Sequence, residues 1–144
     1  MSDLFTIGFT KSSAEDFFGR LRRAGVKKVI DTRLKNSSQL AGFAKAGDLP
    51  FFLRAIGDIA YEYRPELAPT EAIIALAGKK DWQRWESAFL DLMAERRIEK
   101  SLRPADLAGA CLLCAEAKPH HCHRRLVAEY LQAKWKSPFT ITHL

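Results

Sequence analysis

Short apolar runs and longer stretches with helical spacing alternate from the N-terminus onward. Residues 4–9 form a short run rich in aromatic and β-branched side chains, which is typical of a strand. A helix is predicted next, because Ser12 and Glu15 have the spacing of a capping box and apolar residues follow on one helical face. Gly25 predicts the end of that helix, and residues 26–31 resume an extended apolar pattern. A strand–helix–strand unit of this kind is nearly always parallel.

The same alternation continues to the C-terminus. Residues 34–47 show no periodicity and are predicted to form a loop. Further helices are predicted at residues 51–56 and 71–77, from a cap at Asp81 onward and around 126–131, and further strands at 59–63, 109–115 and 139–143. The apolar residues after Asp81 recur at steps of three and four, so we expect them in the core. The pattern predicts one α/β domain over residues 1–144, with three layers and about five strands in a mainly parallel sheet. It leaves open the direction of the third and fifth strands.

Composition and charge narrow the class of protein. The 144 residues are 47% hydrophobic and 28% charged, which fits a chain with its own core and excludes a disordered or collagen-like one. No apolar run approaches the ~20 residues that span a bilayer, and the N-terminus does not resemble a signal peptide, so we expect a cytoplasmic protein with no membrane partner. Lys and Arg outnumber Asp and Glu by 23 to 17, which favours a small anionic ligand or nucleic acid without choosing between them.

Polar side chains and glycine follow several predicted strands at the point where each strand ends. Gly8 and Thr10 follow the first strand, Asp31 and Arg33 follow the second, and Cys114 ends the fourth. The carboxyl ends of parallel strands meet at one edge, where open α/β sheets bind ligands, so we expect these residues to lie together. For Asp31 and Arg33 a buried structural ion network is an equal alternative.

The segment after the fourth strand is the richest in reactive groups. Cys122 lies near the predicted start of the last helix, where the helix dipole favours a thiolate, and Arg124 in the first turn could hold an anion. Cys114 is either an inert buried residue or a nucleophile, with Glu116 or a histidine as its proton carrier. Cys111 is expected in the core, because it faces the opposite side of the strand from Cys114.

A metal site is an alternative for the same segment. The three cysteines are odd in number and closely spaced, which does not indicate a disulfide framework, so we expect reduced thiols or metal ligands. Two of His120, His121 and His123 could join Cys114 and Cys122 as tetrahedral ligands, and His121 with His123 is the pair assigned here. The spacing fits no common zinc pattern, and the sequence identifies no cofactor.

Four short motifs resemble the signature of domain-of-unknown-function family 488. They are Thr-Ile-Gly-Phe-Thr at residues 6–10, Asp-Thr-Arg at 31–33, Cys-Ala-Glu at 114–116 and Cys-His-Arg at 122–124. Tyr61 with residues 66–70 is similar to the middle block of one branch of that family, although the chain lacks the proline that usually follows the aspartate–arginine pair. The resemblance covers nearly the whole chain and implies a small cytoplasmic α/β protein, without implying a reaction. It draws attention to Asp31, Arg33, Cys114, Glu116, Cys122, His123 and Arg124.

The leading hypothesis is an enzyme-like pocket for an anionic, phosphorylated or nucleotide-like ligand. Arg33 and Arg124 would hold the anion, and Cys122 or Cys114 would act as the thiolate. Glu116, with a nearby histidine, would move the proton. The residues assigned to catalysis are Cys114, Glu116, Cys122, His123 and Asp31, and those assigned to ligand binding are Arg33, Arg124, Gly8, Thr10 and Tyr61.

Two alternatives belong to other functional classes. One is a non-catalytic nucleic-acid-binding accessory protein, in which basic side chains contact phosphates. The basic residues assigned to that role are Arg96, Arg97, Lys100, Arg103, Lys134 and Lys136. The other is a metal-binding protein that uses the cysteines and histidines named above.

Overall fold

The computed structural model of the chain describes residues 2–36, 42–116, 120–136 and 139–144. Its strands are β1 (Ser2–Gly8), β2 (Lys28–Asp31), β3 (Ala60–Tyr63), β4 (Ala110–Cys114) and β5 (Phe139–His143). They form one sheet in the order β3-β2-β4-β1-β5, and every neighbouring pair is parallel. The predicted α/β class and mainly parallel sheet are therefore confirmed, and the third and fifth strands both run with the others.

The described residues contain seven α-helices, two more than the sequence pattern predicts. They are α1 (Ala14–Ala24), α2 (Leu49–Gly57), α3 (Glu71–Gly78), α4 (Trp82–Arg96), α5 (Ile98–Ser101), α6 (Pro104–Leu107) and α7 (His123–Trp135). The two additional helices, α5 and α6, are single turns between α4 and β4, too short to produce a periodic pattern. Short 3₁₀ turns occur at Gly42–Ala44, within the predicted loop, and at Pro65–Leu67. Residues 37–41 of that loop lie outside the described part of the chain.

The helix caps differ from the prediction in two places. The cap of α1 is Ser13, whose Oγ accepts from the backbone N–H of Asp16 at 3.1 Å, so the predicted pairing of Ser12 with Glu15 is wrong by one residue. Asp81 stands at the start of α4 but its side chain makes no capping hydrogen bond. Gly25 ends α1 in the left-handed region with φ 72°, as predicted.

Helices cover both faces of the sheet. On one face, Phe17 and Leu21 of α1 and Leu53 of α2 pack with Cys111 and other strand residues. On the other face, α7 packs against β4 and β1 and α4 packs against α7, and the core there includes Trp85, Phe89, Met93, Leu126 and Leu131. The aromatic and apolar stripe predicted after Asp81 is thus largely a core stripe. Cys111 is fully buried, as predicted.

The order of the strands in the sheet determines which strand ends lie next to one another. The chain reaches β1 and β2 first, and β4 is later inserted between them. The carboxyl ends of β1, β4 and β2 are therefore neighbours, and the N-termini of α4 and α7 approach from one side of that edge, where ligands bind in open α/β sheets. Within the described ranges, no helix combines the length and the apolar character that a membrane crossing requires.

Candidate functional site

Strand register brings three of the predicted segments together. Gly8 is paired with Cys114 across β1 and β4, and Asp31 is paired with Leu113 across β2 and β4. Just beyond, Thr32 donates from its backbone N–H and its hydroxyl to the carbonyl oxygen of Leu113, at 3.0 and 2.8 Å. Gly8, Asp31 and Cys114 therefore lie side by side at one edge of the sheet.

Gly8 allows the loop after β4 to cross the end of β1. A Cβ atom at this position would lie 1.6 Å from the carbonyl oxygen of Glu116, so no other residue fits without a shift of the backbone. Thr10 fastens the same loop, because its backbone N–H and its hydroxyl both donate to the carbonyl oxygen of Ala115, at 2.9 and 2.6 Å. Gly8 and Thr10 were predicted to bind a ligand. In the structure, both contact the backbone of the loop after β4.

Asp31, Arg33 and Tyr61 form a buried network. Nε and Nη2 of Arg33 each donate to one carboxylate oxygen of Asp31, both at 2.8 Å. Tyr61 donates its hydroxyl to Oδ2 of Asp31 at 2.5 Å. Burial and the neighbouring carboxylate raise the pKa of Tyr61, so the phenol keeps its proton. Asp31 is fully buried, and its carboxylate holds the Arg33 guanidinium in place.

Arg33 is held in place but is not saturated. Its guanidinium carbon lies 5.3 Å from the centre of the Phe9 ring, and its side chain is only 4% exposed. Nη1, which lies on the side away from Asp31, is buried and finds no hydrogen-bond partner among the described residues. Buried donors in folded proteins are nearly always paired, so this nitrogen is an exception among the buried polar groups.

Arg124 supports the loop and faces a sulfur atom. It is 1% exposed, and its Nη1 donates to Sγ of Cys114 at 3.0 Å and to the carbonyl oxygen of Glu116. Burial lowers the pKa of Arg124 to about 10, which still leaves the group charged at neutral pH. The side chain of Glu116 itself is exposed.

The sulfur atoms of Cys114 and Cys122 are in direct contact and form a disulfide, which leaves Cys111 free. This differs from the expectation of reduced thiols or metal ligands. The cause is the fold, because the connection from the end of β4 to the start of α7 returns Cys122 to the sheet edge. Cys122 is the residue immediately before α7, where the helix dipole stabilises a thiolate once the pair is reduced.

His123 faces both the second strand and the cysteine pair. Its Nε2 lies 2.7 Å from the carbonyl oxygen of Thr32 and 2.9 Å from the hydroxyl of the same residue. Because a carbonyl can only accept, Nε2 carries the proton and Nδ1 keeps its lone pair, 4.0 Å from Sγ of Cys122. Burial lowers the pKa of His123 to about 4, so the ring is neutral.

Three of the four predicted metal ligands come together. Ligand atoms of Cys114, Cys122 and His123 all lie within 4.8 Å of one another. The fourth, His121, instead stacks on Trp82 with ring centres 3.6 Å apart and planes 3° from parallel. The sulfurs and His123 could hold a metal with an open position when the disulfide is reduced.

A cavity of about 600 Å³ opens beside these groups. Its polar wall includes Arg33, Cys114, Glu116, Cys122 and His123. Its opposite wall is apolar and comes from the chain around α3 and the start of α4, including Pro69, Ile74, Ala77, Gly78, Trp82 and Trp85. Trp82 was expected in the core, and it packs there only in part while also lining the cavity. Five residues that do not line the cavity support its polar wall. They are Asp31, Tyr61, Gly8, Thr10 and Arg124.

Sequence reasoning missed Thr32. Its hydroxyl and carbonyl contact His123, and its N–H binds the fourth strand, so it links two of the motifs. The only signal was its position within the Asp-Thr-Arg motif.

None of the six basic residues assigned to nucleic-acid binding is among the described residues that line the cavity. Lys134 and Lys136 are at the C-terminal end of α7, and Arg97 follows α4, whereas the cavity is at the N-terminal ends of these helices. Arg96 is already used by the fold, because it donates to the carbonyl oxygens of Glu66 and Ala68 at 2.8 and 2.7 Å. A nucleic-acid surface built from this set would be separate from the cysteine pair.

The model of the family described as "Domain of unknown function DUF488" matches residues 13–131. The chain belongs to this family. The matched region contains every group of the polar cavity wall, whereas Gly8 and Thr10 precede it. No curated protein and no solved structure matches the chain.

Proposed function

We propose that this DUF488 protein is an enzyme that uses a cysteine thiolate on a small anionic ligand held at Arg33. One observation carries the proposal: the cysteine pair, His123 and an incompletely bonded buried Arg33 all line the same cavity. Such a convergence of a nucleophile, a base and an anion donor in one concave site is the usual pattern of an active site.

Arg33 supplies the anion contact. Two of its nitrogens are occupied by Asp31, which fixes the guanidinium and offsets part of its charge. Nη1 is left for an oxygen of a phosphate or carboxylate, and such a charge-assisted bond would satisfy a buried donor. Lys35, an exposed residue at the same wall, pairs with Glu71 at 3.5 Å. A phosphorylated or nucleotide-like ligand fits this chemistry.

The reduced cysteine pair supplies the nucleophile. Nδ1 of His123 lies 4.0 Å from Sγ of Cys122 and can accept a hydrogen bond from its thiol, and the start of α7 stabilises the thiolate that forms when this proton is lost. Cys114 is stabilised as a thiolate by Arg124. The Cys122 thiolate would attack an electrophilic atom of the bound anion, and the new bond to sulfur would form as the bond from that atom to the leaving group breaks. Glu116, which is exposed, would pass a proton from solvent to the leaving group.

Alkylation of the reduced protein tests this proposal. Under dithiothreitol, iodoacetamide should modify Cys122 first, then Cys114, and should spare buried Cys111. Inorganic phosphate or AMP should slow this reaction in the wild type but not in Arg33→Met. Arg22→Met, an exposed arginine outside the cavity, is the matched control and should keep the protection. Slow, unselective labelling that no anion changes would contradict the proposal.

A second candidate function is a metal centre, favoured by the three ligand atoms within 4.8 Å. The contact between Nε2 of His123 and a backbone carbonyl resembles the support that metal-bound histidines usually have. Elemental analysis of the reduced protein tests it directly. A metal centre predicts stoichiometric zinc or iron that is lost in Cys122→Ser and in His123→Asn but retained in Arg33→Met. If the protein contains no metal and anions still protect its cysteines from alkylation, the metal centre is excluded and the thiolate enzyme remains.

A further inference from the structure

The cavity is much larger than the anion that Arg33 can hold. Ligand sites of about 300–1,000 Å³ typically enclose molecules of drug size. This one has about 600 Å³, of which a phosphate or carboxylate group would fill a small part. A molecule matched to the cavity must therefore extend from Arg33 toward the wall formed by α3 and α4.

Most of that opposite wall is apolar. Its side chains come from Pro69, Ile74, Ala77, Trp82 and Trp85, and none of these carries a charge. Ile74 is 46% exposed, so its side chain offers apolar surface to a ligand at this wall. A ligand that covers this wall would remove apolar surface from water, which is favourable.

The same wall contains aromatic side chains. Trp82 and His121 stack face to face at 3.6 Å, and both line the cavity. Trp82 meets Trp85 edge to face, with planes at 86°, and Trp85 is only 4% exposed, so Trp82 and His121 are the two rings within reach of a ligand. Aromatic side chains of this kind bind nucleobases and other planar rings by stacking.

We propose that the ligand is an anion joined to a flat ring, as in a nucleoside monophosphate or an aryl phosphate. The anion binds Nη1 of Arg33, and the ring packs on the α3–α4 wall. This inference rests on the proposed function, because it requires an anion at Arg33. It adds the second half of the ligand and names the residues that select it.

Gly78 provides a test that leaves the polar wall untouched. It is the last residue of α3 and lines the cavity, and a Cβ atom there would meet nothing within 4 Å. Gly78→Leu is therefore expected to fold and to narrow the apolar half. Gly47→Leu is the matched control, because a Cβ at Gly47 also meets nothing within 4 Å and Gly47 is not part of the cavity wall.

Binding of four probes to the reduced protein is measured by calorimetry: inorganic phosphate, ribose 5-phosphate, phenyl phosphate and AMP. In the wild type, the two ring-bearing probes should bind about tenfold more tightly than ribose 5-phosphate, the scale of one aromatic stack. Gly78→Leu should remove that preference and leave phosphate binding unchanged, while Gly47→Leu should change neither. Ile74→Ser, at an exposed position, should also reduce the preference and serves if Gly78→Leu does not fold.

The outcomes separate the two proposals. Phosphate binding that depends on Arg33, without any preference for a ring, would overturn this inference alone. A ring preference that survives in both Gly78→Leu and Ile74→Ser would also overturn it. Binding that is equal in the wild type and in Arg33→Met would overturn the proposed function and this inference together. Tighter binding of AMP than of phenyl phosphate would identify a nucleobase, and equal binding would identify a simple aryl group; both support the inference.

Discussion

Nη1 of Arg124 donates to the sulfur of Cys114 across 3.0 Å, and both side chains are buried. The same nitrogen donates to the carbonyl oxygen of Glu116. One guanidinium thus fastens the loop after β4 and places a positive charge beside the thiol. A substitution of Arg124 should therefore change both the position of the loop and the charge beside Cys114.

Replacement of Arg124 should reduce the reactivity of the cysteine pair. In Arg124→Met the thiolate loses its cation, so alkylation of the reduced protein at pH 7 should slow about tenfold and its pH profile should move to higher pH. Arg124→Lys should lose less cysteine reactivity than Arg124→Met, because lysine keeps the positive charge. Arg125→Met is the matched control on the same helix, since Arg125 pairs with Glu86 and Glu129 instead. An unchanged pH profile in Arg124→Met would mean that Arg124 acts only on the fold.

Gly8→Ala should destabilise the protein. The added Cβ would lie 1.6 Å from the carbonyl oxygen of Glu116, so the loop after β4 must move. A backbone contact cannot yield as a flexible side chain can, and a loss of about 3 kcal/mol in the free energy of unfolding is expected. Gly78→Ala is the control, because its Cβ meets nothing within 4 Å. Urea denaturation of the two variants measures the difference; equal stabilities would show that the loop moves freely.

The strands and the segments that form the site could be predicted from the sequence, because both follow from local patterns of residues. β-Branched and aromatic runs determine the strands, and parallel strands bring their polar ends to one edge whatever their order. For that reason Asp31, Arg33 and Cys114 could be assigned to one region. The insertion of β4 between β1 and β2 could not be predicted, because strand order depends on contacts between distant residues.

Side-chain roles at the site were harder to predict than positions. Trp82 and Trp85 follow the same helical spacing, and periodicity alone cannot distinguish a core face from the wall of a cavity. Gly8 was assigned to ligand binding, although a glycine in a strand also indicates the close approach of another backbone, which is its observed role. The contact between Cys114 and Cys122 depends on the path of a loop, which has no sequence pattern.

The Cys114–Cys122 disulfide should open and close reversibly. Arg124 and the start of α7 both stabilise thiolates, which favours the reduced form, and the bridge closes a loop with a sequence separation of only 8. Millimolar dithiothreitol should therefore reduce the pair in the folded protein, and removal of dithiothreitol in air should restore it. Mass spectrometry after alkylation counts the free thiols: one, Cys111, after oxidation and unfolding, and three after reduction and unfolding. A bridge that resists dithiothreitol until the protein unfolds would identify a structural disulfide.

The contact between Tyr130 and Glu99 should make stability depend on pH. The Tyr130 hydroxyl donates to Oε1 of Glu99 at 2.7 Å and holds the pKa of Glu99 below its ordinary 4.5. A carboxylate with a lowered pKa stabilises the folded state above its unfolded pKa, and this contribution is lost as the pH falls through the folded value. Tyr130→Phe should therefore cost about 1 kcal/mol at pH 7 and progressively less below pH 4.5. Urea titrations of Tyr130→Phe, Glu99→Gln and the double variant at several pH values measure the coupling; a coupling that does not change with pH would show that the bond is insensitive to the charge of Glu99.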